Sequence, residues 1–356
     1  MRIGFYAQPI LDQQAGIHYM VKQMLYALNE YSDLDIITIA TKRVTDKGEH
    51  IFVSSWDISF FNPRRWIFKR NMDAYRLDWV IDTTHFGLFG LWEKTQKLRI
   101  IHDITALKRP EQHRWKTVIA HRLLLKLALN ESDRLLVFSE FVKKDLINLN
   151  QQEEKVLRIP PGRDYTFDMV SERNENRKSP YFLIVGTIEP RKNHKRIISA
   201  FNQFCSLTKL KYRLVIAGGE GWKTNIRRLI VSSPYSDQIE YLGYCDRDEI
   251  SLLMSTATAL LYVSEGEGFG MPVLEALQQG CPVITSTSSS MQEILGGSGI
   301  FVDPQSIRDI TQAMLQMTKS KSTREEYSIR GETEIVRFQW HQFVESLENN
   351  LTAGLR

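Results

Sequence analysis

A chain of 356 residues, 42% hydrophobic and 25% charged, is long enough for two domains of ordinary size, each with its own core, and its balance excludes a fibrous or low-complexity protein. The formal charge of +4 is too small to define a partner, and no nucleic-acid-binding module is recognisable. Cys205, Cys245 and Cys281 are odd in number and widely spaced, which suggests neither a disulfide framework nor a zinc site, and no run approaches the roughly 20 apolar residues of a membrane span. With a start at Arg2-Ile3-Gly4 that reads as a strand rather than a leader, a reduced, cytoplasmic setting is expected.

Apolar strands are predicted at residues 3–7, 36–40, 79–82, 98–101 and 134–138, with helical spacing over 20–28 and a helix from Glu140 capped by Ser139. Pro160-Pro161-Gly162 stiffens and then turns the chain, and the polar stretch that follows reads as a connection. A second series has strands at 181–185, 212–217, 239–242, 259–263, 282–285 and 299–302, and helices at 197–204, 248–254 and 307–317. The alternation predicts an α/β protein of two parallel-sheet, Rossmann-like domains: 1–165, a linker at 166–180, 181–334, and a terminal helix within 335–356 that carries Phe338, Trp340, Phe343 and Leu347.

Charge is unevenly spread. Between Arg64 and Lys126, fourteen Lys or Arg face six Asp or Glu, concentrated at 64–70 and 114–126 and interleaved with Trp66, Phe68, Trp115 and Leu123. Such a pattern fits either contact with an anionic membrane surface or a solvated helix face whose apolar side is core.

The densest motif is Ser264-Glu265-Gly266-Glu267-Gly268-Phe269-Gly270-Met271-Pro272-Val273-Leu274-Glu275, a strand end, a glycine turn and a helix start. That succession makes a polar pocket at the carboxyl edge of a sheet, where backbone N–H groups of Phe269 and Gly270 can donate to hydroxyls. Glu267 is expected at the pocket mouth and Glu275 about two helical turns on, a spacing suited to a polyhydroxylated ligand. Arg191 and Lys192 follow a strand and Pro190, His102-Asp103 ends another strand, and Gly16 and Gly218-Gly219 form glycine turns. Asp103 would orient His102 or cap the next turn. Asp33-Leu34-Asp35 and Asp246-Arg247-Asp248 read as turns and caps, and no metal is expected.

The segment 264–275 resembles the E-x7-E motif of GT4 retaining glycosyltransferases, with Glu267 and Glu275 as its glutamates. His102-Asp103, Ile159-Pro160-Pro161-Gly162, Gly186-Thr187-Ile188-Glu189-Pro190-Arg191-Lys192-Asn193 and Ala217-Gly218-Gly219-Glu220-Gly221-Trp222 resemble the same family in the same order. The resemblance implies the GT-B fold, two Rossmann-like domains facing across a cleft with the last helix packing back on the first, and a nucleoside diphosphate sugar as co-substrate without a resident cofactor. Arg191 and Lys192 would then hold the diphosphate, Glu267 with Phe269 and Gly270 the sugar, Glu275 the ribose, and His102 the cleft beside the transferred sugar. Gly16 and Gly218 would approach the donor through their backbone. The family's longer glycine and arginine pattern near Gly16 is altered here, so the resemblance assigns no role to His18.

The implied reaction is hexose transfer, mannose from GDP-mannose in the first place, to a lipid-linked or oligosaccharide acceptor in bacterial surface-polysaccharide synthesis, with the enzyme peripheral at the inner face of the membrane. A nucleotide-sugar epimerase on the same fold, or a silent nucleotide-sugar-binding scaffold subunit, are the alternatives.

Overall fold

The computed structural model describes residues 1–12, 16–53, 74–88, 95–164, 167, 179–208, 210–287 and 290–354. The chain divides into two compact units. The basic residues at 64–70 and most of the expected linker lie outside the described residues.

The first unit comprises Met1–Pro110, Trp115–Gly162 and Phe338–Arg356. Its strands are β1 (Arg2–Tyr6), β2 (Asp35–Ala40), β3 (Glu49–Phe52), β4 (Trp79–Asp82), β5 (Gln96–Ile100), β6 (Arg134–Val137) and β7 (Val156–Arg158). They form one sheet in the order β3-β2-β1-β4-β5-β6-β7, with every pair parallel. Between them run α1 (Gln8–Asp12), α2 (Ile17–Tyr31), α3 (Thr105–Lys108), α4 (Trp115–Glu131) and α5 (Glu140–Asn148). Met20, Val21, Met24, Leu25 and Leu28 recur at helical spacing and bury the inner face of α2. Ser139 Oγ accepts from Val142 N at 3.2 Å and sets the start of α5. β3 and β7 are the two edge strands that the apolar pattern misses. β3 buries only Ile51 of its four residues and β7 only Val156 of its three, so neither has an apolar run.

The second unit comprises Glu111–Arg114 and Arg163–Arg337. It contains β8 (Tyr181–Val185), α6 (His194–Leu207), β9 (Arg213–Ala217), α7 (Ile226–Val231), β10 (Ile239–Gly243), α8 (Arg247–Thr256), β11 (Ala259–Tyr262), α9 (Met271–Gln278), β12 (Val283–Ser286), α10 (Met291–Leu295), β13 (Gly299–Val302), α11 (Ile307–Thr318) and α12 (Lys321–Ile335). The sheet order is β10-β9-β8-β11-β12-β13, again all parallel. Phe182, Ile184, Leu214, Ile216, Leu261 and Ile284 from the sheet pack with Ile197, Phe201 and Phe204 of α6 and Ile310 and Met314 of α11 in one core. Asp246 and Glu249 form a reciprocal capping box at the start of α8, and Asp248 lies in its first turn.

A last helix, α13 (Trp340–Ala353), belongs to the first unit. Trp79 Nε1 donates to Leu351 O at 3.2 Å, Gln96 Nε2 to Gly354 O at 3.0 Å and Ser32 Oγ to Glu348 Oε1 at 2.6 Å. Phe343, Val344, Leu347 and Leu351 are its buried stripe. Two short segments fall in a different unit from the one sequence order suggests: 111–114 and Asp164 both cluster with the second unit.

Candidate functional site

In each sheet the strand order reverses beside the first strand, between β1 and β4 and between β8 and β11. Loops leaving the carboxyl ends of two such strands diverge to opposite faces and leave a crevice, the usual place for a ligand in open α/β sheets. In the second unit the loops in question are 186–193, after β8, and 263–270, after β11.

Those two loops are joined by charge. Arg191 NH1 pairs with Glu267 Oε2 at 2.6 Å, and Lys192 Nζ with Glu267 Oε1 at 2.7 Å. Arg191 NH2 also meets Glu189 Oε1 at 2.6 Å, and Lys192 Nζ donates to the Tyr262 hydroxyl at 2.6 Å. Backbone bonds hold the geometry: Glu265 N donates to Arg191 O at 2.8 Å, and Asn193 Nδ2 to Val263 O at 3.2 Å. Asn193 adopts φ 62°, which turns the chain sharply from the Pro190–Lys192 turn into α6.

The structure therefore corrects one expectation. Glu267 is not at an open mouth; it is buried between the two cations. Burial would push its carboxyl up, but the charges of Arg191 and Lys192 outweigh that and hold it at about 2. Burial lowers the Lys192 ammonium, against the opposing pull of Glu267. At neutral pH Glu267 is thus a fixed acceptor rather than a proton donor. A carboxylate has about four acceptor positions, so ligand hydroxyls can still donate to it beside the two cations.

Next to this cluster, Gly270 caps α9 with φ 109° and Phe269 O accepts from Ser290 Oγ at 2.7 Å. Pro272, in the first turn, brings no N–H, so donors here come from the residues ahead of it. Glu275 does not face solvent. It is buried, with Oε1 at 2.7 Å from Arg247 NH1, while Arg247 NH2 bonds Asp164. Burial raises the Glu275 carboxyl, and Arg247 partly offsets the rise. The Arg247 guanidinium also lies 4.4 Å over the Phe167 ring. Arg247 enters the sequence reading only within a capping segment, and Asp164 carries no motif of its own.

A third buried carboxylate, Glu265, receives Arg196 NH1 at 2.5 Å and the Gln112 amide. Gln112 O in turn accepts from Trp222 Nε1 at 3.1 Å. Gly218 has a structural reason of its own. A Cβ there would lie 1.9 Å from Gly186 O, and its N–H donates to Gly243 O at 2.6 Å, so the ends of β8, β9 and β10 touch at this residue.

His102 and Gly16 belong to the first unit. Gly16 precedes α2 with φ 72°, a conformation that favours glycine, and a Cβ there would meet nothing within 4 Å. His102 Nε2 donates to Thr83 O at 2.9 Å, and its backbone N–H donates to His85 Nε2 at 3.2 Å. His85 must then donate through Nδ1 to His121 Nε2, at 3.0 Å, and His121 Nδ1 to Thr117 O, at 2.9 Å. One neutral tautomer of each ring is thereby selected. Burial, helped by His102 and His121, pushes His85 down to about 3, and burial also lowers His102. Asp103 Oδ1 accepts from Thr105 N at 2.9 Å and Thr105 Oγ1 at 2.6 Å, which closes the next turn, and its charge also acts on His102. Behind the cluster, buried Arg99 joins Asp82, Glu131 and His85 O. His85, His121 and Arg99 carry no local motif.

Among the described residues no group of three or more His, Cys, Asp or Glu could hold a metal ion, and no described helix is long and apolar enough to cross a membrane.

Residues 167–334 match the family described as glycosyl transferases group 1. The O-antigen chain mannosyltransferase B of Escherichia coli is 29% identical over 249 residues, covering 67% of this chain and 65% of that protein. The chain thus spans a little under two thirds of the length of the curated relative it matches. Sucrose-phosphate synthase from Thermosynechococcus elongatus superposes with TM-score 0.78 at 16% identity, over 100% of this chain and 99% of that one. HepE of Anabaena, in complex with UDP and glucose, does so with TM-score 0.78 at 15% identity, over 99% and 100%. The chain accordingly has the GT-B fold, and residues 167–334 of its second unit are similar to the group 1 glycosyltransferases.

Proposed function

We propose that this protein is a retaining, metal-independent glycosyltransferase that moves a hexose from a nucleoside diphosphate sugar to a hydroxyl of a lipid-linked or oligosaccharide acceptor in surface-polysaccharide synthesis. The observation that carries the reading is the Arg191–Glu267–Lys192 cluster at the point where the second sheet reverses between β8 and β11. Two cations there match a diphosphate, and an ionised carboxylate held between them matches the hydroxyls of the attached sugar. Mannose from GDP-mannose is the first donor to test, since a 29% identical relative is described as an O-antigen chain mannosyltransferase.

In this mechanism the bond from the sugar C1 to the diphosphate oxygen breaks, and the acceptor oxygen forms a bond to C1 on the same face. The acceptor proton passes to the departing phosphate oxygen. Arg191 and Lys192 balance the charge that grows on the diphosphate, and Glu267 accepts from the sugar hydroxyls throughout. Glu275 accepts from the ribose, and His102, whose Nε2 donates to Thr83 O, keeps Nδ1 as its acceptor atom. Because the two side-chain cations do the work a divalent ion does elsewhere, chelators should leave the rate unchanged.

The test is a thermal-shift screen of GDP, UDP, ADP and dTDP, followed by transfer assays with the matching sugar donors and an NMR assignment of the new anomeric centre. A ligand at 100 times its dissociation constant adds about 2.7 kcal/mol of stability. One nucleotide that stabilises, loses its effect on Arg191→Ala, and supports transfer with retention in chelator bears out the reading. Inversion, dependence on added metal, or turnover of donor without acceptor overturns it.

A further inference from the structure

Helix α8 opens on Asp246-Arg247-Asp248, and its capping box uses Asp246 and Glu249 but gives Arg247 no part. The Arg247 guanidinium is a shared one. NH1 lies 2.7 Å from Glu275 Oε1 on α9, NH2 bonds Asp164, and the group stands 4.4 Å over the centre of the Phe167 ring. Helix α9 also fixes the far side of this arrangement. Gln278 Nε2, three residues beyond Glu275, donates to Asp164 O at 2.9 Å and to Phe167 O at 2.6 Å. One ring and two carboxylates therefore hold Arg247 from three directions, and a planar fork is the cation that can bond two carboxylates at once.

Charge in this cluster does not balance. The side chains of Asp164 and Glu275 are 2% and 7% exposed, and they share one cation. Around Glu267, by contrast, Arg191 and Lys192 face two carboxylates, Glu189 and Glu267. The excess falls on Glu275: burial and the charge of Asp164 both favour its protonated form, and Arg247 opposes them. Among the described residues, Arg247 and Asp164 are the charged groups that act on this carboxyl. Its state matters to a ribose, which offers two O–H donors. An ionised carboxylate accepts both, whereas a protonated one brings a competing O–H of its own.

We propose that Arg247 is a positioning residue of the sugar-donor site: it holds Glu275 in place and ionised, so that both ribose hydroxyls can donate to it, and Asp164 tempers that hold by taking half of the guanidinium. The inference rests on Glu275 as the ribose acceptor in the function proposed above, and adds which residues set the state of that acceptor. Two substitutions on opposite sides of one guanidinium should therefore act in opposite directions. Arg247→Gln removes the charge that favours the ionised form, and Asp164→Asn removes a charge that opposes it.

The experiment measures the affinity of the full chain for GDP and UDP, each against its 2′,3′-dideoxy counterpart, by calorimetric titration from about pH 8 to 5. The ratio of the two affinities isolates the hydroxyls, because the diphosphate titrates alike in both ligands. In wild type the ratio should fall with pH as the Glu275 carboxyl, raised above its ordinary 4.5, takes up a proton. Arg247→Gln should move that fall to higher pH and Asp164→Asn to lower pH, each unit of displacement changing the ratio about tenfold at pH values below both transitions. NMR of isotopically labelled glutamate follows the carboxyl directly, with its signal identified by its loss in Glu275→Gln, and it should move with the ratio. Arg247→Gln can fail to fold, since it leaves two buried carboxylates without a cation; Asp164→Asn removes the surplus charge instead and decides the question alone. A ratio that favours the ribose nucleotide but falls at the same pH in the variants as in wild type overturns the positioning role and leaves the ribose contact standing. Equal affinities at every pH, or binding of neither nucleotide, remove Glu275 as the ribose acceptor and this inference with it.

Discussion

Glu267→Gln removes one negative charge and almost no volume from the space between Arg191 and Lys192, so its effect reads the electrostatics of the site directly. The carboxyl sits at about 2 in the folded chain against an ordinary value of 4.5. That gap corresponds to about 3 kcal/mol of favourable interaction for the ionised form. Removing one partner of a buried ion pair costs about 3–5 kcal/mol in other proteins, which is the same range. Arg191 keeps Glu189 and Lys192 keeps the Tyr262 hydroxyl, so the lower end is expected. Urea unfolding at pH 7 should show the second unit destabilised by about 3 kcal/mol.

The sign of the pH dependence is fixed by the direction of the shift. A carboxyl lowered on folding contributes stability that is complete above its unfolded value and is lost as pH falls through its folded one. The difference between wild type and Glu267→Gln should be constant from pH 7 to near 5, then close below 4.5 toward 2, by at most about 1.4 kcal/mol per pH unit. Lys192→Met added to the variant should return part of the loss, since it removes a cation left without its counter-charge. A difference below about 1 kcal/mol at pH 7, or one that does not narrow in acid, would mean that the cations are not held by this carboxylate.

Arg247→Met should cost about 3–5 kcal/mol by leaving Asp164 and Glu275 buried without their shared cation, and Glu275→Gln in that background should recover part of it; chemical unfolding that finds both changes neutral refutes the pairing. Gly218→Ala places a methyl 1.9 Å from Gly186 O and should lower the melting temperature sharply, whereas Gly16→Ala meets open space and should cost about 1 kcal/mol for its positive φ alone; equal melting of the two variants contradicts the backbone contact. His85, lowered from 6.5 to about 3, makes the first unit lose stability as pH falls through that window, so His85→Gln should flatten the dependence of urea midpoints between pH 6.5 and 3, and an unchanged slope counts against the buried neutral ring.

What the sequence made legible follows from how each feature is encoded. Strands buried on both faces, such as Tyr181–Val185 and Ala259–Tyr262, are apolar runs and stand out locally. Edge strands β3 and β7 have one buried residue each and carry no such run. Arg191, Lys192, Glu267 and Glu275 stand out in the sequence because they end strands or open a helix in recognisable patterns, yet their burial and pairing do not. Lys192 meets Glu267 across 75 positions, and Arg247 meets Asp164 across 83. No local periodicity reports such distances.

One of those pairings follows from topology and the others do not. Given two βα series and the rule that ligands gather where strand order reverses, the loops after the first and fourth strands of the second sheet must be neighbours, and these are the loops of Arg191 and Glu267. That the two loops are neighbours is therefore a consequence of strand order, which the sheet shows and the βα alternation alone does not give. Arg247 and Asp164 obey no such rule. Arg247 is the first residue of α8, and Asp164 comes from the segment just after the first unit, so their meeting over Glu275 depends on how that segment packs against the second unit. The histidines split in the same way: His102 lies just past the end of β5 and is visible as a strand end, while His121 reaches His85 only because α4 packs its inner face there. Chemistry placed at strand ends is readable from order alone; the residues that hold it in place come from helices and connections, and they need the packed structure.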